Sequence, residues 1–164
     1  MKVKKYNLHF TELTKRDRTE LIVIHHTGNP VDDDLSAEQI HVSHQAQGWA
    51  GIGYHYVIRK DGTIERGRPE NYIGAHAIGN NGKSIGIHIC GNFEIAEPTE
   101  AQLNSLPVLI ADICKRYGLI ATKNVVVGHR DLDNTACPGK NLYNELDTIR
   151  GNAEWYRNHQ GLEV

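Results

Sequence analysis

Short apolar runs alternate with polar or glycine-rich segments along the chain, and four of these regions predict β-strands. The first run is LIVIHH at residues 21–26, with charged residues before it and TGNP after it. Residues 84–91 and 124–129 predict two further strands, each with a cysteine or a histidine near its end. Residues 54–67 predict a β-hairpin, because Asp61-Gly62 is a pair that tight hairpin turns prefer.

Two capping boxes mark the starts of helices. Ser36 is followed by Gln39, and Thr99 by Gln102, at the spacing at which such residues cap each other's backbone N–H groups. A last helix is predicted at residues 142–149. Because strands and helices interleave without an internal repeat, the pattern predicts one α/β domain built around a central sheet.

Alternation along the strands predicts which side chains share a face of that sheet, since successive strand residues point to opposite sides. In the first strand the two faces carry Leu21, Val23 and His25 on one side and Ile22, Ile24 and His26 on the other. In the strand at 84–91 they carry Ile85, Ile87 and Ile89 on one side and Gly86, His88 and Cys90 on the other. The first strand therefore carries one histidine on each face near its end, and the strand at 84–91 carries His88 on a single face.

Composition narrows the class of protein. A chain of 164 residues fits one domain, and 39% hydrophobic and 23% charged residues are ordinary for a globular protein. The net charge of −2 gives no reason to expect a nucleic-acid or membrane partner. The N-terminal MKVKKYNLHF lacks the apolar core of a secretory signal, so we expect synthesis in the cytoplasm.

The three cysteines predict different environments. An odd, sparse set argues against a disulfide framework. Cys90 and Cys114 lie in apolar runs and are expected to be buried as small hydrophobic residues. Cys137 instead lies among polar residues, before Pro138 and Gly139, which is the setting of a functional thiol.

The segment VVVGHRDLDNTACPGKNL places His129 and Cys137 in one loop after a predicted strand, and His25 ends another strand. Functional groups of α/β proteins gather outside strand ends. Two imidazoles and a thiolate form a typical catalytic Zn²⁺ set, which leaves a fourth position for a water of lowered pKa. Buried, hydrogen-bonded histidines and an inert thiol are the structural alternative.

Four motifs in order carry a family resemblance: VIHHT, GWAGIGYHYVIRKDGTIERGR, GAHAIGNNGKSIGI and VVGHRDLDNTACPG. Together they resemble the type 2 N-acetylmuramoyl-L-alanine amidases, whose fold is shared by phage amidase endolysins and peptidoglycan recognition proteins. The resemblance spans residues 21–146, most of the chain. It implies a single α/β domain with a central mixed β-sheet flanked by helices.

The resemblance also implies a reaction site. It assigns one Zn²⁺ to His25, His129 and Cys137 and leaves His26 on the other face in a packed or hydrogen-bonded role. Tyr54 matches a tyrosine beside the metal water, where it positions or deprotonates that water. Thr135 matches a residue that helps to hold the oxyanion; the alternative is a threonine that bonds its own loop.

Three further residues are predicted to bind substrate. His76 matches a histidine of the family's substrate groove, with a solvent-facing loop histidine as the alternative. Trp49 follows Gly48 in a pair that tends to accompany stem peptides with meso-diaminopimelate, although it fits a core position too. His88 departs from the glutamate that a recycling branch uses as a base, so it is either a second proton shuttle or a spacer.

The resemblance therefore predicts hydrolysis of the amide between N-acetylmuramic acid and L-alanine, with peptidoglycan glycan strand and stem peptide as the partner. A phage or prophage endolysin that acts on the wall after release fits the chain. Residues 1–150 are the predicted catalytic domain, and 151–164 a polar tail, terminal helix or linker towards a wall-binding module outside this chain. The alternatives are a non-catalytic peptidoglycan-binding module and a cysteine hydrolase that uses Cys137 and His129.

Overall fold

The computed structural model describes residues 1–159, in which six strands form one mixed sheet. The order across the sheet is β1-β4-β3-β5-β2-β6, and all neighbours are parallel except β3 and β4. The strands are β1 Val3–Lys4, β2 Leu21–His26, β3 Tyr56–Ile58, β4 Ile64–Arg66, β5 Ser84–Ile89 and β6 Val126–Gly128. The predicted α/β class with a central mixed sheet is confirmed.

Both predicted capping boxes form and start helices α1 (Ala37–Ala46) and α2 (Glu100–Tyr117). Each cap satisfies backbone N–H groups that a helix start leaves without partners. Gly118 ends α2 in the left-handed conformation, with φ +66°, where a residue without a Cβ is favoured. The other α-helices of the described residues are α3 (Lys140–Tyr143) and α4 (Leu146–Asn158), and short 3-10 helices lie at Asn81–Lys83 and His129–Asp131.

The predicted hairpin forms between β3 and β4, and Asp61-Gly62 lies in its turn. Gly62 has φ +88° and donates its N–H to the carbonyl of Arg59 at 2.9 Å, while the Asp61 carboxylate accepts from the N–H of Thr63. The strands are shorter than 54–67 suggests. Backbone bonds from Gly67 and Arg68 to the preceding segment nevertheless continue the antiparallel pairing beyond β3.

The predicted alternation is confirmed. One face of the sheet packs under α2 and α4 in the main hydrophobic core, which includes Ile22, Ile24, Ile85, Ile87 and Ile89. Val23 lies on the other face in a separate apolar cluster with Ala77 and Val127. Cys90 and Cys114 are buried and free, as expected. The second face is where His25 and His88 pair in register.

Two elements differ from the prediction. Strand β1 is only two residues long and pairs with β4 at the sheet edge. No apolar run in the sequence predicts it. The helix predicted at 142–149 is divided into α3 and a longer α4. Helix α4 buries Leu146, Ile149 and Ala153, which share one helical face. Packing of this face against the core therefore stabilises the helix although most of its residues are polar.

The predicted domain limit at residue 150 falls inside α4, and residues 151–158 belong to that helix. Residues 160–164 of the predicted tail lie outside the described residues. Among residues 1–159, every helix is too short or too polar to cross a bilayer.

Candidate metal centre

Two neighbouring parallel strands bring His25 and His129 together at their carboxyl ends. Strands β2 and β6 pair with Ile24 opposite Gly128, so the next residue of β2 and the first residue after β6 are both histidines. His129 opens a 3-10 turn that extends to Asp131. The two imidazole centroids are 4.6 Å apart. The parallel register therefore makes neighbours of residues more than a hundred positions apart.

The loop after β6 then brings Cys137 back to the carboxyl ends of these strands. Its carbonyl accepts from the N–H of Arg130 at 2.8 Å, and its own N–H donates to the Thr135 hydroxyl at 3.2 Å. The backbone N–H of His26 donates to Cys137 Sγ at 3.4 Å. These bonds hold the sulfur 3.6 Å from Nδ1 of His25.

His25, His129 and Cys137 each offer one ligand atom, and these atoms lie within 4.8 Å of one another. A tetrahedral Zn²⁺ with bonds of about 2.0–2.3 Å separates its ligand atoms by roughly 3.3–3.8 Å. The His25–Cys137 distance already falls in that range. Donor types and spacing therefore fit a zinc ion that leaves one coordination position open.

Electrostatics at the three side chains agree with ligation. Burial lowers the pKa of His25 well below its usual range, and neighbouring His76 and His129 add to this. Burial likewise lowers the pKa of His129, against the pull of Asp133. Both imidazoles are therefore neutral at pH 7, the form that binds a metal.

The thiol behaves differently. Burial raises the pKa of Cys137 to about 12, although the N–H of His26 on the sulfur opposes the increase. Protein groups alone thus keep the sulfur protonated at neutral pH, whereas a divalent cation stabilises the thiolate. A hydrolase with a free Cys137 nucleophile is disfavoured on the same ground.

The trio lies at a pocket of about 400 Å³. Trp49 and Tyr54 also line this pocket, and Ile78, 87% exposed, stands at its rim. Trp49 is 42% exposed and its ring lies 4.5 Å from that of His44, so the alternative of a core tryptophan is wrong. Aromatic and aliphatic side chains therefore form part of the pocket wall beside the candidate metal centre.

Tyr54 lies beside the trio, with its ring 5.1 Å from that of His25. Burial, and then the neighbouring Cys137, raise the pKa of its phenol above the usual range. The group therefore carries its proton at neutral pH and is suited to donate a hydrogen bond. The Thr135 hydroxyl accepts from the N–H of Cys137, as in the alternative in which it bonds its own loop, and this bond does not use the hydroxyl proton.

The remaining predicted histidines have distinct places. His26 accepts from the N–H of Phe93 at 3.1 Å and stacks on that ring, the hydrogen-bonded, packed role expected on the opposite face. His88 is 3% exposed and its ring is 4.7 Å from that of Tyr54. The residues that line the pocket do not include His88.

His76 is not solvent-facing: it is 9% exposed and sits behind His25. Its Nδ1 is 2.9 Å from Nε2 of His25, and its Nε2 is 3.2 Å from the hydroxyl of Ser84. Both ring nitrogens are therefore engaged by protein groups. Its predicted contact with substrate stays a prediction, made through the ring edge that lines the pocket.

Sequence reasoning missed two histidines of α1. His41 and His44 accept, through Nδ1, from the backbone N–H groups of Ile52 and Gly53, each at 3.0 Å. They fix the turn that leads into Tyr54. The signal was present as two histidines three positions apart, which places both on one face of a helix.

The mixed sheet, the pocket and the cluster of two histidines and a cysteine define an α/β protein with a candidate catalytic metal site. Residues 15–140 match the family described as N-acetylmuramoyl-L-alanine amidase, and the chain belongs to that family. The predicted resemblance and fold are thereby confirmed.

Individual relatives support the family assignment. The chain is 33% identical to an endolysin of Klebsiella phage KP32, over 80% of this chain and 87% of that protein. It is 39% identical to peptidoglycan-recognition protein SC2 of Drosophila melanogaster, over 77% and 71% of the two chains. The structure resembles the N-acetylmuramoyl-L-alanine amidase LysC from Clostridium intestinale, with TM-score 0.82 and 38% identity over 90% of this chain and 96% of that one.

Proposed function

We propose that the protein is a zinc-dependent amidase that hydrolyses the bond between the lactyl group of N-acetylmuramic acid and L-alanine in peptidoglycan. The observation that carries the proposal is the trio of His25, His129 and Cys137, whose ligand atoms lie within 4.8 Å at an open pocket. Membership of the amidase family and the endolysin relatives support amidase activity on this substrate.

Zn²⁺ held by His25, His129 and Cys137 would supply a water of pKa lowered to about 7 and would polarise a carbonyl. Tyr54 lies beside the trio with a protonated phenol, from which it positions the attacking water or donates to the oxygen of the scissile amide. Thr135 has a hydroxyl proton that its loop bond does not use, and it donates to the developing oxyanion. Both groups stabilise charge that grows as the amide carbon becomes tetrahedral.

The proposed substrate is a glycan strand with its stem peptide, as the family match and the endolysin relatives support. Trp49 offers an exposed aromatic face beside Tyr54, a surface on which a stem peptide packs. His76 contributes the edge that faces the pocket. His88 acts one layer deeper, behind Tyr54, as a spacer or proton relay and not by direct contact. A preference for meso-diaminopimelate rests on the Gly48-Trp49 pair.

The endolysin relatives support a role in bacterial wall lysis, as a phage or prophage enzyme that reaches the wall after release from the cytoplasm. The family match at 15–140 supports a catalytic domain that occupies most of residues 1–150.

The test compares protein as purified, protein treated with a zinc chelator, and treated protein given Zn²⁺ again. Each is incubated with defined cell walls whose stem peptides carry meso-diaminopimelate or lysine, and fragments are identified by mass analysis. We expect new L-alanine amino termini, loss of activity with chelator, and recovery with zinc. Chelator-resistant cleavage would refute the zinc mechanism, and wall binding without new termini would show a binding module.

A further inference from the structure

A chain of hydrogen bonds leads away from the candidate metal centre through His76. Nε2 of His25 meets Nδ1 of His76 at 2.9 Å, and Nε2 of His76 meets the hydroxyl of Ser84 at 3.2 Å. The Ser84 hydroxyl in turn bonds the backbone carbonyl of Asn80 at 2.7 Å. All three side chains in this series are buried.

The carbonyl at the end of the chain fixes the direction of every proton in it. A carbonyl only accepts, so the single hydroxyl proton of Ser84 is donated to Asn80. Ser84 Oγ must then accept from Nε2–H of His76, which leaves Nδ1 of a neutral His76 as an acceptor. His25 consequently donates its own Nε2–H, and its Nδ1 carries the lone pair, 3.6 Å from Cys137 Sγ.

Two glycines make room for the His76 ring. A Cβ on Gly86 would lie 2.6–2.7 Å from three ring atoms of His76, and a Cβ on Gly74 would lie 2.7 Å from Cδ2 of the same ring. Neither glycine has a positive φ, so space and not backbone conformation requires glycine at these positions. The side-chain oxygen of Asn81 accepts from the N–H groups of His76 and Ala77, each at 2.9 Å, and holds the loop in place.

We propose that His76 is a positioning residue: with Ser84 and the Asn80 carbonyl it locks His25 in the tautomer whose Nδ1 binds the metal. The proposal rests on the zinc site proposed above and adds a role for a residue that does not touch the ion. A neutral histidine free of such a partner divides its proton between two nitrogens and leaves the ring free to turn. The relay removes both freedoms before a metal arrives.

Zinc affinity provides the first test, measured by competition with a chromophoric chelator. His76→Leu removes the acceptor at similar size, and we expect zinc to bind about 10–100-fold more weakly, the usual effect of losing an outer hydrogen-bond partner. His76→Asn keeps an acceptor oxygen where Nδ1 stood and should retain most of the affinity. Ser84→Ala removes only the far end and should weaken binding less than His76→Leu.

Glycine variants separate ring placement from chemistry. Gly86→Ala changes no donor or acceptor but displaces the His76 ring, so it should weaken zinc binding as His76→Leu does. Gly82→Ala, in the same region with open space around its Cβ position, should bind zinc like the wild type. Equal zinc affinity in wild type, Gly86→Ala and His76→Leu would overturn the proposal.

The tautomer itself is measurable in the wild type by ¹⁵N NMR of labelled histidines, without any variant. In zinc-free protein at neutral pH we expect His25 and His76 each to carry the proton on Nε2. A mixed population or an Nδ1–H form at His25 would also overturn the proposal. If wild type binds zinc tightly and the variants bind it equally well, only this inference is refuted. If wild type binds no zinc, the proposed function is refuted as well.

Discussion

Glu70, in the loop after β4, offers a sharp test of how the fold is held together. Its carboxylate is 8% exposed and accepts from the phenol groups of Tyr56 and Tyr117 and from the guanidinium of Arg116. Its backbone carbonyl accepts from Arg16. One carboxylate thus joins the sheet to the end of α2, and Glu70→Gln removes its charge at nearly constant size.

The magnitude follows from the pKa of Glu70. Burial by itself raises that pKa, but the hydrogen bonds from Arg116, Tyr117 and Tyr56 outweigh burial and hold it at about 2, against an ordinary 4.5. At ~1.4 kcal/mol for each pKa unit, the difference corresponds to roughly 3 kcal/mol of folding free energy. Because the folded pKa is depressed, this stability is fully present above about pH 4.5 and is lost as the pH falls towards 2.

The assay is urea unfolding, followed by circular dichroism at pH 7 and at steps between 4.5 and 2. We expect Glu70→Gln to lose about 3 kcal/mol at pH 7 and to approach the wild type as the pH reaches 2. Asp112→Asn is the matched control: it also removes a partner of Arg116, but a half-exposed one, so it should cost about 0–1 kcal/mol. The reasoning would be refuted if the unfolding free energy of Glu70→Gln at pH 7 were within about 0.5 kcal/mol of the wild-type value, since differences of that size are expected from unrelated sites.

Three further predictions concern the candidate metal centre. Cys137→Ser should lose bound zinc and amidase activity together, and activity that persists without metal would exclude the mechanism. Tyr54→Phe should keep zinc while turnover falls by about 10²–10⁴-fold, the usual contribution of a proton-transfer group; near-normal turnover would remove Tyr54 from the reaction. Thr135→Val should keep zinc and slow turnover by less than the roughly 10²–10³-fold typical of a preorganised oxyanion donor. Zinc loss in Thr135→Val would instead show that its bond to the N–H of Cys137 serves the loop.

Local sequence determined the elements whose signals are themselves local. The capping boxes at Ser36 and Thr99 start helices because side chain and backbone partners lie within three residues of each other. The turn at Asp61-Gly62 forms because its preferred backbone needs nothing from elsewhere in the chain. The strand-end placement of His25 followed from an apolar run that stops there.

The motifs also indicated the metal trio, and the structure brings those three side chains together. Composition and spacing left two histidines at 25 and 26 open to choice, and the resemblance selected the first. The fold explains the selection: both histidines line the pocket, but Nδ1 of His25 lies 3.6 Å from Cys137 Sγ, whereas Nδ1 of His26 is occupied by the N–H of Phe93.

Tertiary structure alone decided the partners that lie far apart in sequence. The bond between His25 and His76 spans 51 positions, and that between Glu70 and Arg116 spans 46. Such contacts depend on strand order, on register and on the room left by Gly74 and Gly86, none of which has a local signal. The sequence specifies which side chains can do chemistry, and the packing of distant segments specifies which of their atoms face each other, because hydrogen bonds and metal ligation act only over a few ångströms.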